Sequence, residues 1–381
     1  MNEFDIVAKT IFGLEEILAN ELKAIGAKDI KILQRAVSYK ANKEILYKSN
    51  LYLRTAIRIL VPISTFKANG ERELYKGTQK IDWEKYLNTN KTFAIDGTTS
   101  GEIFTHSKYA ALLTKDAIVD KFRDKYDERP SIDTENPDLR INLHISHNNV
   151  AISLDSSGSN LGKRGYKLRQ VFAPLSEVLA SGIILVSGWD KKQDFIDPMC
   201  GSGTFPIEAA LIAKNIAPGS FRKFNFENWK DFDRGLWIQL KKEATNNEID
   251  FDGKISGFDM DDEAITISKE NARRAGVNRV ISFTKQDFID TNKEYTDSHI
   301  IMNPPYGERL MEDDEIIPFY KEIGDQLKHN YLNCNAFIFS GNLRAIKHVG
   351  LKASSKIKLF NGPIECRLNK FELYAGSKKN S

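Results

Sequence analysis

Asp194-Phe195-Ile196-Asp197-Pro198-Met199-Cys200-Gly201-Ser202-Gly203-Thr204, continued by Phe205-Pro206-Ile207-Glu208-Ala209-Ala210-Leu211-Ile212-Ala213, decides the fold. A short apolar strand ends at Asp197, a Gly-rich turn follows, and an alanine-rich helix begins near Pro206, a residue suited to a first helical turn. Strand, turn and helix in that order make a nucleotide-binding unit, in which Gly201 and Gly203 let the backbone come close to a ligand. The dinucleotide fingerprint asks for a further glycine three positions after Gly203. This chain has Pro206 there. Without a pyrophosphate that close helix approach is not needed, so a nucleoside cofactor is expected.

Three more strand ends carry the same logic. Lys254-Ile255-Ser256-Gly257-Phe258-Asp259-Met260-Asp261 reads as a second strand with an acidic end. Asp259 is placed to accept from both hydroxyls of a ribose. Asp261 reads as the cap of a helix from Glu263 to Ala275. A third strand, Val280 to Thr284, leads to Asp287, placed to accept from an adenine amino group, and to Phe288, which can lie against the ring. Alone, Asp287 would read as a helix cap. The ordered series Asp197, Gly201 and Gly203, Asp259, Asp287 and Asn303, each at a strand's C-terminal end, is far more specific than any member, because ligands of open α/β sheets sit at that edge. Asp197 and Asp259 are 62 residues apart, against roughly 20 in a simple mononucleotide unit. An insertion is therefore expected, and its content, Ser220-Phe221-Arg222-Lys223-Phe224-Asn225-Phe226-Glu227-Asn228-Trp229 through Trp237, is aromatic and basic together. Such a mixture can flank a nucleic acid, but core packing is the commoner use.

The apolar run His299-Ile300-Ile301-Met302 ends in Asn303-Pro304-Pro305-Tyr306. An isolated Asn-Pro-Pro reads as a turn, yet after a nucleoside-binding series it suits transfer to a planar nitrogen. An exocyclic amine is a poor nucleophile because its lone pair is delocalised, so it must be held and polarised. The Asn303 amide oxygen and the Pro304 carbonyl can accept its two N–H bonds; Pro304 and Pro305 remove donors and restrict the backbone, and Tyr306 offers a flat face to a base.

With those residues in view the chain resembles the class I S-adenosylmethionine-dependent methyltransferases. Among them it is similar to the bacterial THUMP-domain RNA methyltransferases acting on guanine N2, including the N-terminal half of large-subunit rRNA enzymes and their stand-alone Gram-positive relatives. The resemblance is carried by Asp197 to Thr204 and by Asn303-Pro304-Pro305-Tyr306-Gly307-Glu308-Arg309-Leu310, with further matches at Arg164-Gly165-Tyr166 and Asn361-Gly362-Pro363-Ile364-Glu365-Cys366-Arg367. It implies S-adenosylmethionine as cofactor, held by Asp197, Pro198, Cys200, Gly201, Ser202, Gly203, Thr204, Asp259, Met260, Asp287, Phe288 and Asn303. It implies a guanine N2 of ribosomal RNA as acceptor, with Asn303, Pro304, Pro305 and Tyr306 as the catalytic set. The fold it implies is α/β: a Rossmann-like domain, a seven-stranded sheet with an antiparallel terminal hairpin, preceded by a ferredoxin-like and THUMP module. A tRNA guanine-N2, DNA adenine-N6 or protein glutamine-N5 methyltransferase shares the Asn-Pro-Pro-Tyr logic. A non-catalytic RNA-binding ribosome-assembly factor is the alternative outside enzymes, against which the intact Gly201, Gly203, Asp259 and Asn303 argue.

Organisation agrees with this reading. A chain of 381 residues holds two or three domains with real cores. The expected boundaries are a ferredoxin-like domain over 1–65, a THUMP RNA-binding domain over 66–155, a basic linker over 156–170 and the methyltransferase domain over 171–381. In the first domain a strand Glu3 to Ala8, a helix Leu14 to Ile25, a strand Ile30 to Gln34, a helix Ile45 to Leu53 and a strand Ile57 to Thr65 are expected. In the second, strand Thr92 to Gly97, helix Ser107 to Asp124 and strands Leu139 to Ser146 and Asn149 to Asp155 follow. Near the end, Asn335 to Ser340 reads as a strand, and Ser355 to Leu359 with Arg367 to Tyr374 as a hairpin. The chain stops soon after, so no second methyltransferase is expected.

Through Gln170 there are 27 Lys+Arg against 22 Asp+Glu, and beyond it 28 against 30. The N-terminal part is thus the more basic. The junction Leu161-Gly162-Lys163-Arg164-Gly165-Tyr166-Lys167-Leu168-Arg169-Gln170 has four cations, a tyrosine and no acid, so Lys163, Arg164, Tyr166, Lys167 and Arg169 are the expected RNA contacts. No stretch of 18 apolar residues and no basic N-terminal leader are present, which points to a cytoplasmic protein without a membrane partner. Three scattered cysteines, Cys200, Cys334 and Cys366, suit neither a disulfide frame nor a zinc site, so no metal is expected.

Overall fold

A computed structural model describes residues 3–167, 175–290, 294–306 and 313–374, with the side chains of 313 and 314 excepted. Contacts divide the chain into two units, neither of them continuous in sequence. One comprises the chain up to Thr10, Ala19–Leu161 and Arg222–Lys242; the other comprises Ile11–Leu18, Gly162–Phe221 and the chain from Glu243 onward.

In the first unit eight strands form one sheet in the order β2-β3-β1-β4-β8-β7-β5-β6. They are β1 Phe4–Thr10, β2 Lys28–Leu33, β3 Ala36–Ala41, β4 Ala56–Lys67, β5 Thr92–Ser100, β6 Ser131–Ile132, β7 Leu139–Ser146 and β8 Asn149–Asp155. The sheet is continuous across the expected ferredoxin-like and THUMP regions because β4 is long enough to serve both: Ala56 to Leu60 pair with β1, and Leu60 to Lys67 pair with β8. Strand β3 and the helix Glu71–Gln79 are absent from the sequence expectations. The alternation of Val37, Tyr39 and Ala41, all buried, marks β3 as a half-buried strand. Helix Ser107–Tyr126 packs over the sheet, with Trp83, Phe93, Phe122, Leu143 and Ile152 in the core.

The aromatic insertion packs inside this unit. Phe226 stacks on Tyr47 at 4.3 Å between ring centroids, Trp237 stands edge-on to Phe226, and Phe224, Phe226 and Trp237 are all buried. Between them Asn225 donates to the Pro137 carbonyl and accepts from the Arg140 N–H. Burying three large rings drives the segment there.

The second unit is a seven-stranded sheet in the order β11-β10-β9-β13-β15-β17-β16. Its strands are β9 Phe195–Asp197, β10 Ile255–Asp259, β11 Ile281–Lys285, β13 His299–Met302, β15 Asn335–Ser340, β16 Ser355–Asn361 and β17 Ile364–Glu372; a separate short pair joins β12 Tyr295–Thr296 to β14 Tyr331–Leu332. All pairings in the larger sheet are parallel except those of β17, which runs antiparallel to both β15 and β16. The hairpin closes between Asn361 and Ile364, and Gly362, at φ +60°, is its first turn residue. Strand order reverses beside β9, the switch point at which such sheets hold ligands.

Candidate active site

A cleft of about 550 Å³ lies at the C-terminal ends of β9, β10, β11 and β13. Each strand end is held in place by the chain around it. The turn after β9 folds back so that the Cys200 N–H donates to the Phe258 carbonyl and the Gly201 N–H donates to Asp259 Oδ2 at 2.8 Å. Gly203 begins helix Thr204–Ala213 at φ +80°, and a Cβ there would lie 2.9 Å from the Ser268 side chain, so both conformation and space call for glycine. From helix Asp262–Arg274, the buried Asn271 donates to the Ser202 carbonyl at 3.0 Å, a brace that the sequence pattern does not signal.

Of the residues expected to hold the cofactor, Asp197, Pro198, Cys200, Gly201, Ser202, Thr204, Asp259, Met260, Asp287, Phe288 and Asn303 all line the cleft; Gly203 does not, and lies against Ser268 and Phe283. Leu175, Gln286 and Phe319 line it too and were not anticipated. Gln286, next to Asp287, was the one most open to discovery. Asp261 caps its helix by accepting from the Glu263 N–H, as expected. Asp287 caps no helix among the described residues: its carboxylate accepts from the Ile289 N–H two residues on.

Electrostatics favour a cationic ligand. Asp197 is almost fully buried and accepts the Met199 N–H, with no cation within ion-pair distance among the described residues. Burial pushes its carboxyl well above the usual carboxylate range, and the nearby Asp259 adds to the rise. The Cys200 thiol is raised for the same reasons, so it stays protonated and apolar in character. Two carboxylates at one end of the cleft are what a ligand bearing ammonium and sulfonium charges would offset.

After β13, next to β9 in the sheet, stand Asn303, Pro304, Pro305 and Tyr306, all lining the cleft. Asn303 Oδ1 is buried and has no hydrogen-bond donor among the described residues. Such an acceptor costs free energy until a donor arrives. Tyr320 donates to the Pro305 carbonyl at 3.3 Å and shares a 2.6 Å hydrogen bond with Ser340. That fixes the backbone after Pro304. Burial holds the Tyr306 hydroxyl well above its ordinary range, so the ring is neutral.

The basic junction is placed differently from its sequence reading. Arg164 and Tyr166 are buried, not presented to solvent. Tyr166 donates to Glu208 Oε1 at 3.0 Å, Ser181 donates to Glu208 Oε2 at 2.5 Å, and Arg164 Nε lies 3.8 Å from Glu208 Oε1. Glu208 is itself buried on the helix that follows the Gly-rich turn, so it needs these partners. The Lys167 side chain is turned inward too: it donates to the Leu175 carbonyl at 2.7 Å and pairs with Glu177 at 3.6 Å. Lys163 is exposed, and Arg169 lies outside the described residues.

Comparison with known proteins accords with this geometry. Residues 164–370 match the RMKL-like methyltransferase domain, residues 68–155 the THUMP domain and residues 5–60 the RlmL ferredoxin-like domain. The chain is 40% identical over 95% of both chains to slr0064 of Synechocystis sp., a protein provisionally named an RNA methyltransferase. It is 38% identical to the ribosomal RNA large subunit methyltransferase K/L of Syntrophotalea carbinolica, over 95% of this chain but only 52% of that one, so it spans about half the length of that relative. Among solved structures, SMU.472, provisionally named a methyltransferase and crystallised with S-adenosylhomocysteine, is 33% identical with a TM-score of 0.88 over 100% of both chains. Fold, cleft and relatives agree that the chain belongs to the RMKL-like family of S-adenosylmethionine-dependent RNA methyltransferases.

Proposed function

We propose that the chain methylates an exocyclic amine of RNA, the N2 of a guanine in large-subunit ribosomal RNA. The observation that carries the amine is Asn303 Oδ1, a buried acceptor in the cleft wall with no donor among the described residues. Guanine N2 rests on the likeness of the Asn303 to Leu310 segment to the guanine-N2 enzymes, and the large-subunit RNA on the name of the K/L relative.

Bound S-adenosylmethionine would supply a methyl group on a sulfonium; Asp197 would face its ammonium and Asp259 its ribose. Asn303 Oδ1 and the Pro304 carbonyl accept the two N–H bonds of the amine, which turns its lone pair toward the methyl carbon. Transfer to the held nitrogen would leave the electron pair of the C–S bond on sulfur, and the methylated nitrogen would then lose a proton to solvent. No strong base is required. Tyr306 stacks on the base, which must leave its helix to reach the cleft.

Mass spectrometry of nucleosides from a strain lacking the gene tests the assignment. Loss of N2-methylguanosine from large-subunit RNA alone is the expected result. Loss of it from tRNA instead, or of N6-methyladenine from DNA, would overturn it.

A further inference from the structure

We infer that Asn361, at the end of the terminal hairpin, is a positioning residue for the target base and acts through Tyr306. This rests on the reading that Tyr306 stacks on that base. Asn361 Nδ2 donates to the Tyr306 hydroxyl at 2.9 Å across 55 residues of chain. The Cys366 thiol, opposite Leu359 in the same hairpin, approaches that hydroxyl at 3.9 Å. On the side of β15, a Cβ on Gly341 would lie 2.7 Å from Tyr306 Cδ2 and Cε2, so the ring occupies the space that a side chain at 341 would fill.

Asn361 and Cys366 hold the tyrosine at its hydroxyl and Gly341 lies along its ring edge, while Pro305 restricts the backbone at its near end. A free tyrosine side chain samples several rotamers, and stacking on a base would require it to give them up during the reaction. Here the cost is met on folding. The hairpin tip itself has no need of Asn361: backbone pairing with Ile364 closes the turn, and Gly362 supplies its positive φ. The side-chain amide is thus free to serve the cleft, which gives the Asn361 to Cys366 segment a role that its sequence did not disclose. Removing the amide should leave the ring in place on average but mobile, slowing the step in which base and methyl donor are aligned.

The test is a double-mutant cycle on single-turnover transfer of labelled methyl from saturating S-adenosylmethionine to total RNA from a strain lacking the gene. Asn361→Ala and Tyr306→Phe each break the same hydrogen bond, so each is expected to slow transfer about tenfold, and the double variant also about tenfold. Cofactor affinity should stay within about twofold, which reports an intact fold. Gly341→Ala crowds the same ring, and Ile364 at the start of β17, and is expected to slow the same step. A double variant slowed by the product of the single effects, or an Asn361→Ala rate equal to wild type, overturns the inference. Tyr306→Ala separates it from the reading beneath: an undiminished rate there would remove the stacking itself, whereas a collapse there with an unaffected Asn361→Ala would remove only the role of Asn361.

Discussion

The backbone N–H of Gly201 donates to a carboxylate oxygen of Asp259 at 2.8 Å, tying the Gly-rich turn after β9 to the acidic end of β10. The other oxygen of Asp259 accepts from the Asp261 N–H at 3.1 Å. One side chain thereby shapes the turn and presents the remaining lone pairs of its carboxylate to the cleft. Asp259→Ala removes both functions. S-adenosylmethionine affinity is expected to fall about 10- to 100-fold, the equivalent of roughly 1.5–3 kcal/mol for a hydrogen bond to a charged group. Calorimetry on a folded variant checks this, and unchanged affinity would remove Asp259 from the cofactor site.

The junction residues separate into two behaviours. Arg164 is buried beside Glu208, and removing one partner of a buried charged pair costs about 3–5 kcal/mol. Arg164→Ala should therefore lower the melting temperature, at about 2–4 °C per kcal/mol for a domain of this size. Exposed Lys163 is proposed to face RNA: Lys163→Glu should lower the melting temperature far less than Arg164→Ala and flatten the salt dependence of RNA binding by about 0.7 for a lost single-strand phosphate contact. Thermal unfolding and a salt series on both variants distinguish them.

How the two groups were confused in the sequence is instructive. Four cations and a tyrosine in ten residues look like an RNA track, because the acid that neutralises Arg164 and receives the Tyr166 hydroxyl lies 42 to 44 positions away on a helix. Local composition carries no trace of that pairing. The same holds for the aromatic insertion, whose rings pack on Tyr47 nearly 180 residues earlier. By contrast, Asp197, Asp259, Asp287 and Asn303 were legible as a set, since a parallel sheet puts consecutive strand ends along one edge whatever lies between them. Strand β3 was missed although its alternation is visible, and the roles of Asn271, Gly341 and Asn361 depend on tertiary distances that no spacing encodes.

His299 opens β13 and is buried, with Nε2 2.8 Å from the Ser187 hydroxyl and its ring stacked on Phe195 and Phe337. Burial drops its pKa from 6.5 to about 4. The unfolded chain therefore binds this proton more readily than the folded one. The contribution of neutral His299 to stability is fully present above pH 6.5 and is lost as pH falls toward 4. Relative to His299→Gln, wild type should lose on the order of 1.4 kcal/mol per pH unit within that window. Chemical denaturation of both proteins at pH 7, 6 and 5 reads the difference, and parallel pH profiles would contradict it.

The central claim is that Asn303 holds an amine for methyl transfer. It is tested most directly by the single-turnover rate of Asn303→Ala on total RNA from a strain lacking the gene, with cofactor and RNA affinities measured on the same preparation. The account predicts both affinities within a few fold of wild type and a rate lower by roughly 100-fold or more, the loss that follows when a positioning contact to the reacting group disappears. A folded Asn303→Ala protein that transfers methyl at the wild-type rate would contradict it.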